Sequence, residues 1–257
     1  MACPTCVGDR VAWEHRAVDE GGSRQDGERL RGALVVVLAV TSGATDALGF
    51  LALGNAFTSV MTGNMVLFGV ATAHGQGSQM LLTAVAIGAF VTGAATGARL
   101  AGTAATGDSV WPRPVTLALA VELAILSAVS VAWWGFAAEP PPGAYLPMLA
   151  AAAAALGVQS SAIQRFGVPG LSTTYLTGTL TTVVARLAHG HGVRAVRHSV
   201  LVLLGLVVGA AATATVLATA PLLAPVLLLG SVGSVLGVVL LRRELMHGPG
   251  AAATDER

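Results

Sequence analysis

The chain has 257 residues, 54% of them hydrophobic and only 11% charged, against roughly 25% charged in ordinary soluble domains. That composition excludes an ordinary soluble domain and indicates an integral membrane protein. The formal net charge of +1 leaves no basic surface of the kind nucleic acid requires.

Residues 1–32 hold five Arg, six Asp or Glu and no apolar run, so they read as a disordered cytoplasmic tail. A signal peptide would need an apolar core after its positive start. Cys3 and Cys6 form CPTC, with His15 nearby. One CxxC without a second pair does not make a zinc site, so neither metal nor cofactor is expected.

About 20 mostly apolar residues are needed to cross the hydrocarbon layer. In chain order, six segments qualify: 33–53, 80–98, 114–136, 145–164, 199–219 and 221–241. The last two are divided at Pro221, because proline starts a helix well and disrupts its interior. Residues 242–257 are the expected cytoplasmic C-terminal tail.

Two shorter apolar segments, 59–73 and 172–188, are interrupted by Thr62-Gly63 and Thr177-Gly178. Arginine placement weighs on whether they cross. All fourteen basic residues are Arg, and Lys or Arg near span ends favours the cytoplasm. With both short segments re-entrant there are six spans, and every Arg lies on one side with both termini. With both crossing there are eight, and Arg99, Arg113 and Arg165 fall outside. Six is the preferred count and eight the alternative.

Displacing the sequence by 115 positions lays Thr62-Gly63 on Thr177-Gly178, Thr58 on Thr173, and AHGQG at 73–77 on AHGHG at 188–192. An all-α polytopic fold with two repeats follows, about 33–136 and 145–241. With six spans the second repeat is inverted, an architecture common in transporters, where broken helices meet at the binding site. A half-helix that ends inside the membrane bares backbone groups that protein, water or ligand must satisfy.

The candidate solute-binding set is therefore Thr62, Gly63, Asn64, Thr177, Gly178 and Thr179. Asp46 joins it, because a carboxylate inside a span faces a partner or a wet cavity. Its counterpart Ser161 and neighbouring Gln159 would form the opposite wall. Glu122 is the other deep carboxylate, with Arg99 as a potential partner. Gly93-x-x-x-Gly97, Gly205-x-x-x-Gly209 and Gly233-x-x-x-Gly237 have helix-packing spacing. Trp133 and Trp134 read as interfacial anchors.

The pattern GATDALGFLALGNAFTSVMTGNMVLFG, with Asp46-Ala47, Phe57 and Met61 to Asn64, resembles the YoaK family of bacterial membrane proteins of unknown function. The resemblance spans about residues 30–245. It implies a small polytopic inner-membrane protein and assigns no catalytic or binding residues.

The expected function is a small-solute transporter or channel-like permease. Its expected partners are the lipid bilayer and a small polar solute or ion, and a homo-oligomer is one assembly open to it. A sensor or scaffold subunit is the alternative. An intramembrane enzyme using Asp46 and Glu122 ranks below both, because all six His lie outside the expected spans, no Cys lies in one, and no nucleophile arrangement exists.

Overall fold

The computed structural model describes residues 5–104, 108–166 and 176–242, with side chains from residue 25 onward. Eight α-helices carry these residues: α1 (Thr5–Ala52), α2 (Met61–Ala73), α3 (Gly77–Ala101), α4 (Arg113–Gly135), α5 (Pro142–Gln164), α6 (Leu176–Ala188), α7 (Val193–Thr219) and α8 (Ala224–Leu241). A 3-10 turn, Pro221–Leu223, leads into α8. Six of them, α1, α3, α4, α5, α7 and α8, are long and apolar enough to cross a membrane. Helices α2 and α6 have 13 described residues each. At 1.5 Å per residue α2 reaches ~20 Å, short of the ~30 Å hydrocarbon layer.

Helix α1 starts at Thr5, so the expected unstructured tail is helical and continuous with the first span. No proline follows Pro4 before Ala52, and the charged residues of this stretch are compatible with a helix. Arg29 and Asp26 pair one turn apart at 3.6 Å. Cys3 lies outside the described residues, as does the side chain of Cys6.

Helices α1, α8, α4 and α5 form a ring in which each packs on the next, with α5 closing more lightly on α1. The most extensive contacts run outward from it, α7 lying on α1 and α3 on α5. Helix α2 packs on α3 and α6 on α7. Burial follows these layers: 67% of the apolar stretch of α1 and of α5 is enclosed, against 22% for α3 and α7. Leu51, Val66, Val91, Leu204 and Val207 remain exposed, the expected outcome where lipid supplies the apolar surroundings.

Glycine makes the two closest pairs possible. A Cβ on Gly43 would overlap the Leu206 carbonyl, and one on Gly209 the Val40 carbonyl, where α1 meets α7. Gly157 stands against the Phe90 carbonyl and Gly93 against that of Ala154, where α3 meets α5. Both pairs are parallel, since contacts advance together along the two chains: Gly32 with His198, Gly205 with Val36, Gly209 with Val40. In the membrane such approach replaces the hydrophobic drive with dispersion contact. Gly233 and Gly237 face open space, so the third glycine pair does no packing within this chain.

The helix ends sort into two faces. Arg31 Nη1 donates to the Val110 carbonyl at 3.4 Å and its guanidinium lies 5.4 Å from the Phe166 ring. Gly102 lies against Arg165, which pairs with Asp108 at 3.0 Å. The entry to α1 and the ends of α3 and α5 thus share one face with the start of α4. At the opposite face Trp133 Nε1 donates to the Pro221 carbonyl and Trp134 Nε1 to that of Leu222, each at 2.9 Å. Trp133 is enclosed and Trp134 is 42% exposed, so only Trp134 fits the anchor expected of both. Helix α7 begins six residues before the expected span, which brings His198 inside it, against Gly32.

Candidate functional site

Four buried polar residues line one side of α1: Thr41, Ser42, Thr45 and Asp46. Their spacing of one, three and four residues places them on a single helical face. Hydroxyls among them return hydrogen bonds to the helix backbone, Thr45 Oγ1 to the Thr41 carbonyl at 2.7 Å and Ser42 Oγ to that of Leu38 at 3.2 Å. Two also reach across the ring. Thr41 Oγ1 donates to Ser231 Oγ of α8 at 2.7 Å. Ser42 Oγ accepts from Gln159 Nε2 of α5 at 2.9 Å. The stripe therefore joins the inner surfaces of α1, α5 and α8 at mid-span.

Asp46 ends this stripe, and its carboxylate is occupied by the chain itself. Oδ1 accepts from the backbone N–H groups of Thr58 and Ser59, both at 2.7 Å, and from Thr58 Oγ1 at 3.0 Å. Oδ2 accepts from Ser59 Oγ at 2.6 Å. Both carboxyl oxygens are thus engaged, three of the four bonds being 2.7 Å or shorter. They pull the non-helical link 53–60 back from the end of α1 into the bundle, where α2 then starts. Gly49 allows this return: a Cβ there would meet the Ala56 carbonyl at 2.8 Å and the Thr58 methyl at 3.0 Å.

Asn64 fixes the same link from the other end. Its Oδ1 accepts from Phe57 N–H at 2.8 Å and its Nδ2 donates to the Phe57 carbonyl at 2.7 Å. One side-chain amide thus satisfies both backbone groups of Phe57, which strand pairing or water would otherwise have to do. The Phe57 ring stacks on Phe50 at 5.0 Å between centroids. A Cβ on Gly63 would crowd the Phe57 ring at 3.1 Å.

Thr62-Gly63-Asn64 and Thr177-Gly178-Thr179 were expected to interrupt their helices. Thr62-Gly63-Asn64 instead forms the first turn of α2, and Thr177-Gly178-Thr179 lies in the first described turn of α6, the residues before Leu176 being outside the described ones. The cause is local: first-turn N–H groups lack intrahelical partners anyway, so a flexible glycine costs less there than in a helix interior. Both triplets show one pattern, with the leading Thr exposed, Gly half-buried and the third residue, Asn64 or Thr179, buried.

The predicted residues therefore separate into groups. Asp46 and Asn64 converge on residues 57–59, and Gln159 reaches the α1 stripe. Ser161 faces away from it, donating to the Ala94 carbonyl of α3 at 2.7 Å. Thr62 and Thr177 are exposed. Among the described residues no extensive contact joins α2 to α6. A crevice of about 560 Å³ lies elsewhere, between α4 and α5, lined by apolar groups such as Val129, Phe136, Pro147 and Met148.

Sequence reasoning missed Thr58, Ser59 and Ser231 as partners, and Gly43 and Gly157 as packing sites. Thr58-Ser59 could have been found as a polar dipeptide just before a helix start. Glu122 was noticed, but its suggested partner Arg99 is exposed and makes no bond to it.

A family of proteins described as being of unknown function (DUF1275) matches residues 34–243, from the apolar part of α1 through the end of α8. The chain belongs to this family. The DUF1275 region thus contains the α1 stripe, both short helices and the whole ring. The chain is also similar to the UPF0700 transmembrane protein YoaK of Bacillus subtilis (strain 168), with 32% identity over 157 residues. That match covers 60% of this chain and 66% of the relative, slightly under two thirds of its length. No solved structure matches the chain.

Proposed function

We propose that this DUF1275 protein is a small-solute permease of the bacterial cytoplasmic membrane, built from an inverted internal duplication. The observation that carries the reading is the buried polar stripe of α1, faced by Gln159 and approached by a half-helix that starts inside the bundle. Polar groups at this depth are costly, and an ionisable one such as Asp46 is a functional-site candidate. The solute, a small polar molecule or ion, would move along the α1–α5 seam, where the ring closes most lightly.

Several features support the duplication. The order long, short, long, long occurs twice, and Thr-Gly stands one residue into the described part of both α2 and α6. Exchanging the halves turns the α1–α7 contact into the α3–α5 contact. Gly43 and Gly209 then answer to Gly157 and Gly93. Described arginines near the ends of the apolar spans, Arg31, Arg99, Arg113, Arg165 and Arg197, gather on one face, which supports a cytoplasmic position for it and for both termini.

A scaffold without transport is the competing reading. It is favoured by Asp46 and Asn64, which direct their hydrogen bonds to their own chain.

The deciding experiment is uptake into vesicles containing the purified protein, with labelled amino acids, polyols and monovalent ions as probes. A permease moves at least one probe faster than empty vesicles do. For that probe Ser42→Val and Gln159→Leu lower flux on the order of tenfold, equivalent to ~1.4 kcal/mol. Protein-dependent flux of none of the probes, or flux unchanged in both variants, defeats the reading.

A further inference from the structure

Glu122 is wholly buried, and neither carboxyl oxygen has a hydrogen-bond partner. It occupies the middle of the inward stripe of α4, between Leu119 and Leu126, with Val115, Val129 and Trp133 farther along. Depth follows from helix rise. Trp133 is bonded to Pro221, which makes α4 and α8 antiparallel from that point. Eleven residues back from Trp133 is ~16 Å, and Ser231 lies a similar distance from Pro221. Glu122 is therefore level with Ser231, to which Thr41 is bonded, in the central polar layer of the ring.

No cation among the described residues is placed to neutralise it. Helix α4 packs on α3, α5 and α8. Their titratable groups are Arg99 in the last turn of α3, Tyr145 at the start and Arg165 just past the end of α5, and Arg242 after α8. Arg165 pairs with Asp108, and Arg113 of α4 itself is nine residues away, ~13 Å along the axis. Asp46, on α1, is held by Thr58 and Ser59. An ionised carboxylate without a partner in such surroundings is strongly disfavoured, whereas a neutral one is tolerated.

We propose that Glu122 is the proton-binding carboxyl of the bundle, taking up a proton from one face and releasing it to the other as α4 and α8 re-pack. Its step is acid–base only: a proton from water joins a carboxylate oxygen and later returns to water. This deepens the permease reading and rests on it for what proton movement accomplishes, which is coupling solute flux to the proton gradient. Charge neutralisation explains why the group survives without a salt bridge, and its central depth gives it comparable access to both faces.

The test is infrared spectroscopy of the intact protein in phosphatidylethanolamine/phosphatidylglycerol vesicles, in light and heavy water across a pH series. A protonated-carboxyl band is expected that is missing from Glu122→Gln and moved but present in Glu122→Asp. It shifts in heavy water and gives way to a carboxylate band as pH rises. Wild-type spectra supply the exchange and titration even if a variant folds poorly. A Glu122→Gln spectrum superimposable on wild type at every pH, or a band that neither exchanges nor titrates, overturns the proposal. If the band titrates while no solute moves, the proton site stands and the permease reading fails. If a solute moves without the band, the reverse holds.

Discussion

At the scale of single residues, Asp46 decides where the chain turns back. Four hydrogen bonds bring Thr58 and Ser59 to it, and a single such bond contributes about 1 kcal/mol net. Asp46→Ala leaves two backbone N–H groups unsatisfied, so a loss on the order of 3 kcal/mol is expected. Ser59→Ala removes only one hydroxyl and should lose about 1 kcal/mol. Tryptophan-fluorescence melts in detergent would rank the two. Equal midpoints for Asp46→Ala and wild type would mean that the link is held by packing alone.

At the scale of elements, the six apolar segments and the two short ones were legible, because hydropathy and length are sums over many residues. What escaped was the place of the Thr-Gly pairs within their helices. Gly63 signals a break, but only the return of residues 53–60 shows that it follows the break. That return depends on Asp46 reaching residues twelve and thirteen positions later, beyond any helical period. Register was also half-legible. The Thr-Gly offset pairs Asp46 with Ser161, whereas the matched glycines Gly43 and Gly157 stand one residue closer and pair it with buried Ser160. The glycines make a testable division. Gly93→Leu and Gly209→Leu must push apart α3–α5 and α1–α7 at carbonyl contacts, each costing about 1–3 kcal/mol or more. Gly233→Ala and Gly237→Ala meet nothing within 4 Å and should be neutral. Monodisperse yield on size exclusion separates the pairs, and a Gly93→Leu protein as well behaved as Gly237→Ala would refute the close-packing account.

At the scale of the whole molecule, six spans and eight spans differ in where two loops sit. Helix α2 is ~10 Å too short to cross unaided. Helix α2 begins beside Asp46, about a turn and a half inside the end of α1, and heads back toward the face that α1 reached. Leu82 of α3 packs against Gly54, and Gln79 Nε2 donates to the Asn55 carbonyl at 2.9 Å. The α2–α3 turn must therefore lie on the same face as the end of α1. The α6–α7 turn lies near the opposite face, because His198 meets Gly32 at the start of the α1 span. With Cys3→Ser and Cys6→Ser as background, a cysteine replacing Gln76 should react with an impermeant maleimide from outside the cell. One replacing His191 should react only after the membrane is opened. Eight crossings would put both loops in the cytoplasm, so labelling of neither from outside would overturn the six-span arrangement. The half-helix approach to the α1 stripe, on which the proposed solute path depends, would fall with it.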